Sequence, residues 1–367
     1  MLYRKGSTLF NEIHGQPDMW RAVLAELNNR ADAVKNWLKT QGFGQVIYVT
    51  SGDYLNVALS MARITNLIVG LNSVAVPASE LLYGRRAPYD VRIKTLAVVL
   101  SKGDLAEEIG WGMDRLKMLD PRAQMLAVEM GDAVLAARAH QALTFEQVKD
   151  STKIAISTVT AMLLIGYTLV SWLSGRDVLS AELNRLPGLL GDNLPKWQTM
   201  AQRMVQKKPS HVVFLGSGPF LGLAKQSALT LRQAVGITSE ANTFVEYRHG
   251  YHACLTNQMS VMGLMSNSFA QTEEKIIGDL ASTRVNRLAI CDSASAPLSR
   301  SCDDVLELKT GVNEVCRGLL VLPVVQLYCF YMAIGRGINP DNPKHLDRPP
   351  IMLKEAPGTS PAPKVSQ

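Results

Sequence analysis

Two stretches of the chain share one pattern of apolar and polar positions. Residues 45–62 and 211–228 each begin with a run of β-branched and aromatic residues, pass through Ser-Gly, and continue with small residues at helical spacing. Identical residues lie at matching positions 166 residues apart: Val46 and Val212, Ser51 and Ser217, Gly52 and Gly218, Leu55 and Leu221, Ala58 and Ala224, and Ala62 and Ala228. Each stretch therefore predicts a strand, a tight turn and a helix.

Continuous apolar runs follow each copy, and such runs are typical of strands buried on both faces. They span residues 95–100, 125–129, 259–265 and 287–292. Strands that alternate with helices in both halves predict parallel sheets with helices on both faces. We therefore expect an α/β protein with a pseudo-two-fold internal duplication.

The same pattern divides the chain into five regions. Residues 1–40 are predicted as an N-terminal helical region broken at Pro17, and residues 181–205 as a pair of linker helices interrupted at Pro187 and Pro195. The two α/β subdomains are expected over 41–180 and 206–348. A long apolar helix over 319–336 is expected to start near Pro323. Residues 349–367 are rich in proline and serine, which predicts a disordered tail.

One segment is long enough to cross a bilayer. Residues 154–175 carry no charge, and about 20 apolar residues span the hydrocarbon core of a membrane. The segment also contains six serine and threonine residues and Tyr167. These polar groups favour a fully buried helix in a large core, so we expect no membrane partner.

The composition is that of an ordinary globular protein. Of 367 residues, 47% are hydrophobic and 19% are charged, which excludes wholesale disorder, collagen and a disulfide scaffold. The formal net charge is +6, but the basic residues are scattered and only 6% of residues are aromatic. Nucleic-acid binding is therefore not expected, and a mild attraction for anionic metabolites is favoured.

Cysteine and glycine spacing limit the cofactors. The five cysteines form no CxxC pair and lie in the last third of the chain, which predicts a cytoplasmic protein without disulfides or structural zinc. No long apolar run follows the N-terminus, so no secretory signal is expected. His249 and His252 have no third ligand spaced to complete a metal site. Neither GxGxxG nor GxxxxGK[ST] occurs, so no nucleotide cofactor is predicted.

The predicted turns between strand and helix carry candidate ligands. Ser51-Gly52 would present backbone N–H groups and a hydroxyl at the positive end of a helix dipole, where phosphates bind. Ser101, Lys102 and Asp104 form a similar turn, in which Asp104 is a possible N-cap. A purely structural turn is the alternative in both cases, because glycine is required wherever backbones approach closely. Residues 150–152 are candidates for capping the long apolar helix.

A cluster of charged residues follows the helix predicted in the second copy. Glu246, Arg248 and His249 lie beside Gly250. A histidine there could act as a general acid or base, because its free pKa lies near neutrality. The alternative is a loop in which the arginine and the glutamate form surface pairs.

Several short motifs in a fixed order resemble a known family. The motifs are Glu12-Ile-His-Gly-Gln-Pro17 with Trp20, Ser51-Gly52, Ser101-Lys-Gly-Asp104, Ser151-Thr-Lys153, residues 216–228, Glu240-Ala241, Glu246-Tyr-Arg-His-Gly250, and Asn339-Pro-Asp-Asn-Pro343 with Leu346. Over residues 7–348 they resemble the sugar isomerase (SIS) family in its tandem form. That form occurs in the isomerase half of glucosamine-6-phosphate synthase and in phosphosugar deaminases and deglycases.

The resemblance implies two flavodoxin-like SIS subdomains and a phosphosugar bound at the carboxyl ends of parallel strands. In the isomerases, a glutamate of the second subdomain moves a proton between C1 and C2, and a histidine supplied across a dimer interface helps open the ring. That histidine matches His249, which implies a homodimer. The glutamate position, sixteen residues earlier, is Gln233, and an amide cannot accept a proton at neutral pH.

Other positions depart from the family pattern in the same way. Thr230 replaces a lysine, and Tyr251 replaces the proline after His-Gly. The first phosphate loop continues from Ser51-Gly52 into Asp53 and Tyr54, and the second, Ser101 to Leu105, is one residue short. The family positions that remain are Glu146, Ser151 and Arg348. The stretch 53–58 also resembles part of the fructoselysine-6-phosphate deglycases, which favours an Amadori-type sugar.

Two functions are compatible with these residues. The first is an isomerase, deaminase or deglycase for an amino-sugar or Amadori-sugar phosphate, with His249 as acid or base and Glu146 or Glu240 as a replacement base. The second is a binding or regulatory protein that holds a sugar or sugar phosphate without turnover. Substrate binding is predicted in both cases for Ser51, Gly52, Asp53, Ser101, Lys102, Asp104, Ser151 and Arg348.

Overall fold

The computed structural model describes residues 5–103 and 106–346. The chain divides into two compact units. The first-sheet unit runs from Arg30 to Lys149, and the second-sheet unit consists of the described residues 5–29 and 150–346. The predicted tail, 349–367, lies outside the described residues.

The described part of the chain forms ten strands and eleven α-helices. The strands are β1 (Gln45–Thr50), β2 (Asn72–Pro77), β3 (Thr95–Lys102), β4 (Gln124–Met130), β5 (Gln141–Phe145), β6 (His211–Gly216), β7 (Thr238–Asn242), β8 (Met259–Leu264), β9 (Asn286–Cys291) and β10 (Asp304–Glu307). The helices are α1 (Ser7–Gln41), α2 (Tyr54–Ile68), α3 (Ala78–Tyr83), α4 (Ala106–Leu119), α5 (Ser157–Ser174), α6 (Asp177–Met204), α7 (Phe220–Val235), α8 (Phe244–Tyr247), α9 (Ala270–Asp279), α10 (Ala296–Ser301) and α11 (Glu314–Gly335).

The strands form two five-stranded sheets with the same connectivity. The first has the order β2-β1-β3-β4-β5, and the second, read from its other edge, has the order β7-β6-β8-β9-β10. Every strand pair in both sheets is parallel. The predicted fold class, an α/β protein built from two parallel sheets, is therefore confirmed.

The central strands of the first sheet are buried. β1 and β3 are buried along nearly their whole length, because helices cover both faces of a parallel sheet. One face of the first sheet packs against α4 through Ile109, Met113 and Leu116. Burial of one such side chain stabilises the fold by about 1.5–3 kcal/mol relative to exposure.

The helix breaks predicted at the prolines are wrong. α1 continues through Pro17, α6 is one helix that contains Pro187 and Pro195, and α11 begins nine residues before Pro323. Pro17 lacks the N–H that would bond to the Ile13 carbonyl. The side chain of Gln16 donates to that carbonyl instead, at 3.3 Å, so the helix continues without an unpaired acceptor.

Among the residues that the structure describes, two helices, α5 and α11, are long and apolar enough to cross a membrane. Protein buries 83% of the apolar window in α5 and 89% of that in α11. Core helices of soluble proteins pass the same test of length and composition. The segment 154–175, for which the sequence predicted a buried helix, is largely α5, and every residue from Ser157 to Ser171 is buried.

Candidate functional site

The order of strands reverses between β1 and β3 in the first sheet, and ligands of open α/β sheets bind outside the carboxyl ends of strands at such a switch point. Ser51 follows β1, and Ser101 lies near the end of β3. The hydroxyl of Thr50 donates to the Leu100 carbonyl at 2.8 Å, which joins the two strand ends. The predicted residues of both turns are thereby brought together. We call this region, Ser51 to Asp53 with Ser101 and Lys102, the first switch point.

The turn after β1 has the geometry that the repeat predicts. Gly52 has a φ of 64°, in the left-handed region that favours glycine. α2 then begins at Tyr54, and the half-buried Asp53 at its N-cap makes no capping hydrogen bond with its side chain. Ser51 is buried beside the start of this 15-residue helix. The first switch point therefore combines a hydroxyl, a carboxylate and the positive end of a helix dipole.

The second turn contributes a buried hydroxyl and a cation. Ser101 is 1% exposed, and Lys102 is half-buried. The Ser101 hydroxyl donates to the neighbouring Lys102 carbonyl at 3.3 Å. Two other predicted ligands, Asp104 and Arg348, lie outside the described residues.

The other predicted residues of the family pattern lie elsewhere. Glu146 is exposed immediately after β5, two strand spacings, or about 10 Å, from β3 across the sheet. Ser151 is exposed in the segment before α5. The sheet therefore does not bring Glu146 to the first switch point.

The second-sheet unit contains a contact between two carboxyl groups that the sequence did not predict. Glu12 on α1 lies against Asp150, and burial together with hydrogen bonding and repulsion from Asp150 raises the pKa of Glu12 to about 8. Asp150 accepts from the backbone N–H groups of Ile156 at 3.0 Å and Thr158 at 3.1 Å, which confirms it as a cap of α5. The two residues are 138 positions apart in the chain, so the sequence gives no local signal of their contact.

The position of the family's catalytic glutamate lies on α7. Gln233 is half-buried there, and Thr230, in place of the family's lysine, is buried and accepts a hydrogen bond from Gln226 at 3.4 Å. No residue of α7 is aspartate or glutamate. Helix α7 therefore offers no carboxylate base.

The charged cluster surrounds the short helix α8. His249 is exposed just after it, and its backbone N–H donates to the Glu246 carbonyl at 2.9 Å. Tyr251, in place of the family's proline, stacks on Tyr247 with ring centroids 6.4 Å apart. Glu240 lies on β7 with its carboxylate 3.7 Å from Nε2 of His211. Glu246, His249 and Tyr251 thus expose a carboxylate, an imidazole and a phenol around α8.

Candidate metal ligands were searched for in the described ranges, 5–103 and 106–346. Within them, no group of three or more His, Cys, Asp and Glu residues is placed to hold a metal ion. All five cysteines are free thiols, and Cys291, Cys316 and Cys329 are buried. Burial raises the pKa of the Cys291 and Cys316 thiols to about 12, so they are not activated nucleophiles.

Comparison with known proteins relates the chain to enzymes of phosphosugars. The glutamine–fructose-6-phosphate aminotransferase of Methanothermobacter thermautotrophicus is 22% identical over 344 residues, covering 92% of this chain and 56% of the relative. A candidate D-galactosamine-6-phosphate deaminase, AgaS, of Streptomyces coelicolor is 24% identical over 90% of both chains. This chain thus spans little more than half of the aminotransferase but nearly all of the deaminase relative.

Solved structures give the same fold. The C-terminal domain of glucosamine-fructose-6-phosphate aminotransferase from Francisella tularensis superposes with a TM-score of 0.81 at 17% identity, covering 93% of this chain and 99% of that domain. No family model matches the chain. The relatives, the superposition and the two parallel sheets together show the tandem SIS fold, and the chain resembles the isomerase region of the glutamine–fructose-6-phosphate aminotransferases.

Proposed function

We propose that the chain binds an amino-sugar or Amadori-sugar phosphate and acts on it as an isomerase, deaminase or deglycase with an altered active site. One observation carries the proposal. The buried hydroxyls of Ser51 and Ser101 lie at adjacent strand ends of the first switch point, beside the N-terminus of α2. Hydroxyl donors at a helix N-terminus are suited to a phosphate group.

Each residue of the first switch point has a proposed role. The Ser51 and Ser101 hydroxyls and the Gly52 backbone hold the phosphate, and Lys102 supplies a positive charge. Asp53 would repel a phosphate but attract an amine, which favours a substrate that carries nitrogen. Asp104, Ser151 and Arg348 keep the substrate-binding roles that the family resemblance implies.

Proton transfer is assigned to other residues. His249 is exposed and has the residue type for opening a sugar ring as a general acid or base. Gln233 occupies the position of the family's base but can only donate and accept hydrogen bonds. Glu146 is a solvent-accessible carboxylate about 10 Å across the sheet from the first switch point, so it could replace that base only at the end of the substrate remote from the phosphate.

A binding protein without turnover is the second candidate function. It is favoured by α7, whose sequence contains no acidic residue at all. The fold would then recognise the same sugar phosphate as a regulatory signal.

We also propose a cytoplasmic homodimer. The exposed position of His249 leaves it accessible to a second copy of the chain, and five free cysteines suit a reducing compartment. Light scattering during size-exclusion chromatography tests the dimer. A mass of 40.1 kDa, that of one chain, would contradict it.

Turnover of a panel of amino-sugar and Amadori-sugar phosphates separates the two functions. If the protein is an enzyme, we expect the native protein to be active and the activity to fall at least 100-fold, about 2.7 kcal/mol, in His249→Ala. His252→Ala, which removes a neighbouring histidine, is the matched control and retains activity. Glu146→Gln tests the proposed base in the same assay.

The substitution Gln233→Glu restores the family's carboxylate. Activity that appears only in this variant supports the binding protein. If neither protein binds or converts any member of the panel, both proposals are wrong.

A further inference from the structure

The carboxyl end of the second sheet contains two buried side chains with unpaired polar atoms. Arg317 on α11 and Glu273 on α9 are each 1% exposed. Neither Nη1 of Arg317 nor Oε1 of Glu273 has a hydrogen-bond partner among the described residues. An unsatisfied buried polar group costs about 1–3 kcal/mol, and a charged one costs more. Retention of both therefore calls for a physical explanation.

Both side chains are anchored on the same strand end. Nη2 of Arg317 donates to the Met265 carbonyl at 3.5 Å, and the Ser266 backbone N–H donates to Oε2 of Glu273 at 2.7 Å. Met265 and Ser266 follow β8, whose neighbour in the sheet is β6. The order of strands reverses between β6 and β8, so this is the switch point of the second sheet, where ligands of such sheets bind.

The internal duplication gives this position a counterpart in the first sheet. The Ser217-Gly218 turn after β6 repeats Ser51-Gly52 after β1, and Gly218 has a φ of 53°. Ser266 follows β8 as Ser101 lies near the end of β3. Burial raises the pKa of the Glu273 carboxyl, and interaction with the nearby Ser217 hydroxyl opposes that rise. We call the group Ser217, Ser266, Glu273 and Arg317 the second switch point.

The two unpaired atoms define the kind of ligand. Nη1 of Arg317 can only donate, whereas the Glu273 carboxyl accepts when it is ionised and can both donate and accept when it is protonated. A simple anion would satisfy the arginine and leave the glutamate unpaired, whereas a cation would do the reverse. A hydroxyl group both donates and accepts, so a ligand with neighbouring hydroxyls satisfies both atoms.

The surrounding charges exclude a phosphorylated ligand. Burial lowers the pKa of Arg317, while Asp292 and Glu314 counteract this as nearby negative charges. Those two carboxylates are held by Thr310 and Ser268, respectively. With Glu273, three carboxyl groups act on one guanidinium, and such an excess repels a phosphate dianion.

We propose that the second switch point binds a monosaccharide without a phosphate group, whose hydroxyls bridge Arg317 and Glu273. This site is distinct from the first switch point, to which the proposed function assigns the phosphosugar. The turns beside it are accessible, since Asn267 and Ser268 are exposed and Ser217 is half-buried. An amino group on the sugar is compatible with the excess of carboxylates.

Calorimetric titration of the full chain with glucose, glucosamine, N-acetylglucosamine and inorganic phosphate tests this proposal. We expect binding of at least one unphosphorylated sugar that persists in the double variant Ser51→Ala, Ser101→Ala. Glu273→Gln keeps the side-chain shape but exchanges the free acceptor for a donor. Glu273→Gln and Arg317→Lys, each made as a single variant, should weaken the binding of that sugar at least tenfold, about 1.4 kcal/mol.

Control variants distinguish loss of sugar binding at the second switch point from loss of folding and from loss of binding at the first switch point. Arg300→Met removes an exposed arginine of the same unit and should leave the affinity unchanged. If Arg317→Lys does not fold, as judged by circular dichroism, Glu273→Gln and Ser217→Ala provide the comparison. Three outcomes overturn the proposal: no sugar binds, phosphate alone binds, or sugar binding is lost in the Ser51, Ser101 double variant but not in Glu273→Gln.

Discussion

The side-chain amide of Gln16 donates a 2.7 Å hydrogen bond to Oε1 of Gln326, which lies 310 residues later in the chain. The side-chain oxygen of Gln16 accepts a hydrogen bond from the Thr160 hydroxyl at 2.7 Å. The side-chain nitrogen also donates to the Ile13 carbonyl, which has no backbone donor because of the proline in α1. Trp20 donates to Thr160 at 3.2 Å. One glutamine therefore satisfies polar groups of α1, α5 and α11 within the second-sheet unit.

Replacement of Gln16 by leucine should destabilise the second-sheet unit strongly. It leaves the Gln326 oxygen and the Ile13 carbonyl without this donor, at about 1–3 kcal/mol for each buried group. We expect urea unfolding to show a loss of about 3 kcal/mol. Gln271→Leu, at an exposed position on α9, is the matched control and should change stability by less than about 0.5 kcal/mol. Equal effects of the two substitutions would contradict the network's role.

The Glu12 and Asp150 pair predicts a dependence of stability on pH. The folded pKa of Glu12 is about 8, against an unfolded value near 4.5, so the folded state holds a proton that the unfolded state releases between these pH values. The free energy of unfolding should therefore fall as pH rises through this window. A full proton corresponds to about 1.4 kcal/mol per pH unit, and the partial exposure of Glu12 reduces this.

Unfolding of Glu12→Gln between pH 5 and pH 9 isolates the effect. The amide cannot ionise, so this variant should show a smaller fall in stability with pH than the native protein. Glu107→Gln, at an exposed position on α4, should keep the native slope. An unchanged slope in Glu12→Gln would contradict the raised pKa of Glu12.

Gly216, the last residue of β6, and Gly218, in the turn that follows, should differ in their tolerance of alanine. A Cβ on Gly216 would lie 2.5 Å from the Phe220 carbonyl oxygen, a backbone atom that cannot rotate away. A Cβ on Gly218 meets nothing within 4 Å, although its positive φ is strained for alanine. We expect losses of about 3 kcal/mol for Gly216→Ala and about 1 kcal/mol for Gly218→Ala in urea unfolding. The reverse order would contradict the described turn.

The strands that the sequence failed to predict share a physical cause. All four, β2, β5, β7 and β10, are edge strands. An edge strand has a neighbour on one side only and need not be apolar throughout, so Thr238–Asn242 and Asp304–Glu307 lack a continuous apolar run. The central strands, which are buried on both faces, were all predicted from their composition.

The candidate site was predictable only where its residues are close in sequence. Ser51-Gly52 and Ser101-Lys102 belong to local turns, and parallel pairing of β1 with β3 brings them together as expected. Contacts between distant segments left no such pattern. The carboxyl of Glu12 against Asp150 is one case. The buried Arg317 and Glu273 are another, although an arginine directly before the uncharged run 318–335 was a detectable signal.

Calorimetric titration with matched pairs of a sugar and its 6-phosphate tests the central claim most directly. The native chain should bind the phosphorylated member of an amino-sugar or Amadori-sugar pair more tightly. Ser51→Ala and Ser101→Ala should each weaken that binding about 10–100-fold, because a hydrogen bond to a charged group contributes about 1.5–3 kcal/mol. The exposed control Ser282→Ala should leave it unchanged. Equal affinity for both members of every pair, or tight phosphosugar binding that survives both substitutions, would contradict the assignment of the first switch point.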